Sequence, residues 1–287
     1  MKNDHLIRAF LISLTVLFTF SMSAAIFAAE KESKKILYYD YTYRFIHQPT
    51  IDGANGEPGA CAVMLKDLAG KHGYEVICTK DGSVFDGDLS PYAAFVFYTS
   101  GELNHPGGKI GAPMSEKGMK NFFEAIRSGS GFLGIHSATV NPLSDKADPD
   151  LPGAIYAKII GARFVGHGKD QEADVKILKP GELPSLSKCG SGFRVTEEWY
   201  RMKMFTPDDH VFLVLDTKGM KGKIYECPPL PLAWARKEGK GRVAYHAFGH
   251  RNKYLNTPLV SGITGDLLEF VLGLREFDLT PNLDHSN

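Results

Sequence analysis

Residues 131–138 read Gly-Phe-Leu-Gly-Ile-His-Ser-Ala, a short apolar strand from Gly131 to Ile135 followed at once by a tight turn centred on His136. A Gly-x-X-x-small pattern after a buried strand has the geometry of a nucleophile elbow, which thrusts its central residue into a cleft above a parallel sheet. Here that residue is an imidazole, not a hydroxyl or thiol. Imidazole is a poor stable nucleophile but a good general base or metal ligand, so the turn points to acid–base or metal chemistry. The plainer alternative is a histidine that only hydrogen-bonds at a strand end.

The sequence on the N-terminal side alternates strand and helix. Ile36–Tyr39 is a strand, a Gly-rich segment follows, and Cys61–His72 carries a helical pattern stopped by Gly73. Tyr74–Thr79 and Ala93–Thr99 are further strands, and Ser115 opens an amphipathic helix to Ser128. Strands separated by helices imply a parallel sheet covered on both faces. Beyond the elbow, Asp150–Ile160 reads as a helix, whereas Ala173–Leu178, His210–Asp216, Pro231–Lys237 and Arg242–Phe248 read as strands that extend the same sheet. Thr264–Leu274 is a closing helix and residues 280–287 a polar tail.

The chain has 287 residues with 43% hydrophobic and 23% charged side chains, ordinary values for a globular protein with a sizeable core. Its 33 basic and 33 acidic residues cancel, which removes the electrostatic drive of a nucleic-acid binder and favours a small-molecule partner. Lys2 and Arg8 precede an uncharged run from Ala9 to Ala29 that ends in small residues, the pattern of a secretory signal over residues 1–28. The protein is therefore expected to be exported, with a retained N-terminal anchor as the minor alternative and no other membrane association. Export permits disulfides. Cys61 and Cys78 lie in apolar stretches and are expected to be buried thiols, whereas Cys189 and Cys227 lie in loop sequences and could be bridged.

In a parallel sheet, ligands bind at the carboxyl ends of the strands. That rule selects Arg44 and His47 after the first strand, His136 after the fourth, and His250 after the last. His246 and His250 are four residues apart on an extended segment and cannot share an ion unless Gly249 turns the chain, so His250 is the site residue and His246 packs within the sheet. His105 reads as an exposed loop residue. Thr196-Glu197-Glu198-Trp199-Tyr200 is the other concentrated feature. A carboxylate bracketed by Trp199 and Tyr200 is partly desolvated, which raises its pKa toward the range useful for proton transfer, and the rings can stack on a sugar. On this reading Glu198 is a general acid or base and not a metal ligand, and Glu197 faces the other way into solvent.

Six segments in order carry a resemblance: the first-strand loop ending in His47; Gly134-Ile135-His136-Ser137-Ala138; Gly161-Ala162-Arg163-Phe164 with His167; Glu198-Trp199-Tyr200; Pro231-Leu232-Ala233-Trp234; and Gly241-Arg242-Val243 through Phe248-Gly249-His250. Together they resemble the trehalose utilisation (ThuA-like) family, over a domain spanning residues 35–276. The resemblance implies a flavodoxin-like α/β three-layer sandwich with a mainly parallel central sheet, class I glutamine amidotransferase-like, and a link to carbohydrate utilisation. It also permits an exclusion. A glutaminase needs Cys at the elbow, where this chain has His136. The chain departs from the family pattern where Phe45-Ile46 separates Arg44 from His47, and at Glu226-Cys227-Pro228-Pro229-Leu230-Pro231.

The site expected from these readings has His47, His136 and His250 converging on a divalent metal, Zn or Mn. Glu198 and His136 are its catalytic groups, and Arg44, His167, Trp199 and Tyr200 hold the sugar. The leading function is an enzyme acting on a keto-sugar or oxidised glycoside by metal-assisted proton abstraction, giving elimination, hydrolysis or isomerisation. A non-catalytic carbohydrate-binding or scaffold domain is the second reading. A direct glycoside hydrolase is third, because it needs two carboxylates across the bond. A homo-oligomer is compatible with the sequence.

Overall fold

The computed structural model describes residues 35–141 and 148–283. The signal sequence and the end of the polar tail lie outside the described residues. Eleven strands are assigned: β1 Lys35–Tyr39, β2 Glu75–Thr79, β3 Tyr92–Phe97, β4 Gly131–Ile135, β5 Arg163–His167, β6 Gln171–Ile177, β7 Gly192–Glu197, β8 Tyr200–Lys203, β9 His210–Leu215, β10 Leu230–Glu238 and β11 Gly241–His246. Nine form one sheet in the order β2-β1-β3-β4-β11-β10-β9-β6-β7, and β5 pairs with β8 in a separate ribbon. From β2 through β11 all pairings are parallel; from β11 onward all are antiparallel. Of the nine, β10 and β6 therefore run against the other seven.

The helices are α1 Ala60–Gly70, α2 Glu116–Ser128, α3 Pro152–Ile160, α4 Asn252–Leu255 and α5 Pro258–Val271. Helix α1 packs with α4 and α5, and α2 packs with α3, which gives a helical layer on each face of the sheet. Helix α2 forms where the sequence signals it: the Ser115 side chain accepts from Gly118 N, and Gly129 closes the helix at φ 135°. Its Phe122 meets Phe85, Phe95, Phe97 and Phe132, a run of edge and stacked aromatic contacts against the buried strands β3 and β4.

Three sequence expectations need correction. Helix α5 begins at Pro258, not Thr264: Thr257 caps it by accepting from Val260 N, and Pro258 sits at the first helical position. Strands β5, β7 and β8 were not expected, because they are four to six residues long and only half-buried, with no long apolar run to announce them. All four cysteines are free, so Cys189 and Cys227 are not bridged, and Cys78 is exposed rather than buried because it falls on β2, the sheet's edge strand.

His246 packs within the sheet as its position on β11 required, with Nε2 3.0 Å from the Thr264 hydroxyl. Burial, reinforced by the charge of His136, holds its pKa down at about 3 against an ordinary 6.5. An imidazole with a depressed folded pKa binds protons more readily once unfolded. Its contribution to stability is complete above pH 6.5 and is lost as pH falls toward 3. Thermal denaturation between about pH 7 and 4 should therefore show a shallower loss in His246→Gln than in the parent, and equal slopes would refute this.

Candidate active site

Three loops at the carboxyl edge of the parallel strands each deliver one histidine. After β1, residues 43–45 are pinned to the loop after β3: Tyr43 N and Arg44 N donate to Ser100 O at 2.8 and 2.9 Å, and Phe45 N donates to Ser100 Oγ at 3.2 Å. His47 then precedes a short 3-10 turn over Gln48–Thr50. After β4, His136 adopts φ 45°, the left-handed conformation of a strained elbow, and is buried. The turn is crowded from behind, since a Cβ on Gly134 would lie 2.7 Å from Ile160 Cδ1. After β11, Gly249 at φ 113° swings the chain so that His250 enters the site while His246 stays in the sheet.

The three imidazoles form a near-equilateral cluster, with centroids 5.0 Å apart for His47 and His136, 5.3 Å for His47 and His250, and 5.4 Å for His136 and His250. Glu198, between β7 and β8, completes it. Its Oε2 lies 3.1 Å from His250 Nδ1 and 3.6 Å from His136 Nε2, and its Oε1 lies 3.1 Å from His167 Nδ1. One ligand atom from each of His47, His136, Glu198 and His250 lies within 4.8 Å of the others, and all four residues are buried.

Two observations distinguish this group from an ordinary ion-pair network. His136 Nε2 and His250 Nδ1 are buried without a hydrogen-bond partner; the His250 nitrogen is close enough to Glu198 but is not aligned with it. The tautomer of His136 is also fixed, because its Nδ1 lies 2.7 Å from the Ala247 carbonyl, which can only accept. In the neutral ring the proton sits on Nδ1 and the Nε2 lone pair faces the cluster, as in metal-ligating histidines oriented by an outer carbonyl. Burial, then the proximity of His136 and His250, holds His47 well below the usual imidazole range, which favours its neutral, lone-pair-donating form. Three nitrogens and one carboxylate oxygen fit a borderline divalent ion better than Mg²⁺ or Ca²⁺.

The two glutamates do face opposite ways, but with environments the reverse of those expected. Burial alone would push the Glu198 carboxyl up; the electrostatic pull of the adjacent His136 and His250 outweighs it and holds the carboxyl far below the usual carboxylate range. A carboxylate so held is a ligand-type group, not a proton donor near neutral pH. Glu197 is not solvated. It is buried and accepts from Glu198 N at 2.9 Å, Gly249 N at 2.6 Å and His250 N at 3.2 Å, thereby fastening the turn that presents His250. Its burial pushes its pKa up against the pull of His136 and those three N–H groups.

Above the cluster opens a cavity of about 750 Å³. Arg44, His167 and Tyr200 line it, as does Glu198. Tyr200 is buried with its ring 4.3 Å from that of His136, whereas His167 keeps 42% of its side chain exposed. Trp199 does not reach the cavity: it is fully buried, donates from Nε1 to Gln171 O at 2.7 Å and packs on Phe248. Alternation after Glu198 turns it inward, so it cannot stack on a ligand. His105 is half-buried, stacked on Tyr43 at 3.6 Å, and is absent from the cavity. Sequence reasoning missed Phe45, Asn141, Arg163, Phe164 and Lys203, which also line the cavity. Arg163 and Lys203 are directly opposed on the β5–β8 ribbon, and recognising that ribbon was the signal needed to find them.

A family model described as trehalose utilisation, ThuA, matches residues 46–268. The chain belongs to the trehalose utilisation family. Among solved structures it is similar to a putative ThuA-like protein from Bacteroides uniformis, with a TM-score of 0.62 and 18% identity over 84% of this chain and 92% of that one. A second putative ThuA-like protein, from Parabacteroides merdae, gives a TM-score of 0.58 at 15% identity over 88% and 93% of the two chains. A cytoplasmic protein from Salmonella typhimurium gives 0.52 at 13% identity over 83% and 99%. These likenesses establish the shared ThuA-like α/β fold. No curated protein matches the chain. In this ThuA member the turn that follows the fourth strand begins at His136, and none of the chain's four cysteines lies in it.

Proposed function

We propose that this ThuA-family chain is a metal-dependent sugar-processing enzyme that acts on a keto-sugar or oxidised glycoside by proton abstraction next to a carbonyl, leading to elimination, hydrolysis or isomerisation. The observation that carries the reading is the meeting of His47, His136, Glu198 and His250 beside a large cavity that His47 and Glu198 line, with His136 Nε2 and His250 Nδ1 buried and unpartnered. A divalent ion such as Zn²⁺ or Mn²⁺ held there would polarise the substrate carbonyl and so acidify the adjacent C–H.

The chain itself supplies the proton acceptor. His167 Nδ1 faces two groups that only accept, the Gly168 carbonyl at 2.8 Å and Glu198 Oε1 at 3.1 Å. The proton of the neutral ring therefore sits on Nδ1, and Nε2 is the basic nitrogen. His167 is the half-exposed imidazole of the cavity and stands outside the four-donor group, so we assign proton transfer to it in place of Glu198. Burial, then the charge of Glu198, pushes the Tyr200 hydroxyl up, which keeps it protonated as a hydrogen-bond donor at the cavity wall. A direct glycoside hydrolase fits less well: Glu198 is the one carboxylate lining the cavity among the described residues, and Glu197 points away.

The test is a turnover screen of metal-loaded protein against 3-keto sugars and their parent glycosides. Turnover of the keto-sugars is expected, and His167→Gln should lower kcat by roughly a hundredfold while metal content stays stoichiometric. Metal-replete protein that turns over neither class overturns the enzymatic reading, and sugar binding without turnover would favour the non-catalytic one.

A further inference from the structure

We infer that Phe45 is a stacking platform for a pyranose ring, and that the substrate is a pyranoside that enters with the face bearing its axial C–H bonds against that phenyl group. This rests on the carbohydrate reading above and names how the sugar is held.

Phe45 leaves 57% of its surface exposed at the cavity, far more than Tyr200 at 2%. Exposure alone decides nothing, since single exposed apolar side chains are ordinary; what singles out Phe45 is that its ring stands at the cavity and is held in place. The ring is fixed. Its own N–H and those of Tyr43 and Arg44 are all tied to Ser100, which removes the freedom of the loop. It stands edge-on to His47 at 4.9 Å and 73°, and lies nearly parallel to His250 at 6.0 Å and 21°. With one face turned toward His250, the opposite face is left open at the cavity.

An aromatic face carries partial negative charge, and the axial C–H bonds of a pyranose carry partial positive charge, so the two surfaces attract while the equatorial hydroxyls point outward to polar groups. Arg44 and Asn141, on the same cavity, are placed to receive hydroxyls. Phe164 and Val165 add apolar lining from β5. The platform expected at Trp199 is thus supplied by the first-strand loop, at the position where this chain separates Arg44 from His47.

The test uses metal-loaded protein and methyl β-D-glucopyranoside as probe, titrated calorimetrically into the parent and into Phe45→Leu, Phe45→Ala and Phe45→Tyr. The Leu and Ala variants should bind about tenfold more weakly and Tyr should hold affinity within about threefold, with metal content unchanged in all three. In turnover, the loss should fall on KM and not on kcat. Metal loss in Phe45→Ala would make the ring a support for His47 and His250 and overturn the inference. A parent that binds the glycoside no better than Phe45→Leu overturns the platform and leaves the enzymatic proposal standing. A parent that neither binds nor turns over any pyranoside overturns both.

Discussion

His136→Ala should leave the protein without stoichiometric metal and lower turnover by roughly a thousandfold or more, since a bound ion contributes several kcal/mol of transition-state stabilisation. The backbone at this position is at φ 45°, and alanine meets the same strain as histidine there, so the substitution isolates the imidazole. It also leaves the Ala247 carbonyl without its 2.7 Å partner, a cost of about 1–3 kcal/mol that thermal denaturation will register separately. Glu198→Gln provides the second arm. It keeps the shape of the side chain but removes the charge that faces His136 and His250, and it should lose metal in parallel with activity, as a ligand does. Elemental analysis decides the matter. Folded variants that both retain one ion per chain would remove these residues from the donor set.

The second large effect is on stability. Glu197→Gln should lower stability by about 3 kcal/mol, because three buried backbone N–H groups converge on the two carboxylate oxygens and an amide can offer only one oxygen to them. For a domain of this size that corresponds to roughly 6–12 °C in Tm. Calorimetry should also find weaker metal binding, since the Gly249–His250 turn loses its anchor; a Tm within about 2 °C of the parent would show that Glu197 is not the fastening. Glu197 touches neither the cavity nor the donor atoms, so any effect on turnover would arise through the position of His250.

The parallel half of the sheet was legible because each of its strands is an apolar run bounded by a helix or a turn, and helix α2 because Ser115 and Gly129 mark its ends. The elbow was legible from five residues, since little other than a sharp turn follows a buried strand with that spacing. His47, His136 and His250 could be placed together because parallel strands end on one edge. The roles of Glu197 and Glu198 could not. Alternation along the chain says that adjacent side chains diverge, but which of the two meets histidines and which meets backbone depends on β7 reaching across to the 249–250 turn, a contact between distant segments. The cavity wall failed for a related reason. The short ribbon strands β5 and β8 gain their apolar partners only from each other and from the main sheet, and their sequences carry no long-range pattern.

The four donors come from four loops spread across nearly the whole family domain, from His47 to His250. No short peptide could reproduce such a centre, and an ion bound there would act as a non-covalent cross-link between the first strand of the sheet and the turn after its last. Because the unfolded chain presents these groups far apart, binding favours the native state alone, and at a thousand times the dissociation constant it adds about 4 kcal/mol to folding. On the proposed reading, metal supply and chain integrity would be one equilibrium: a cell short of the ion would lose not only the proposed activity but part of the brace that keeps the polypeptide out of reach of proteases.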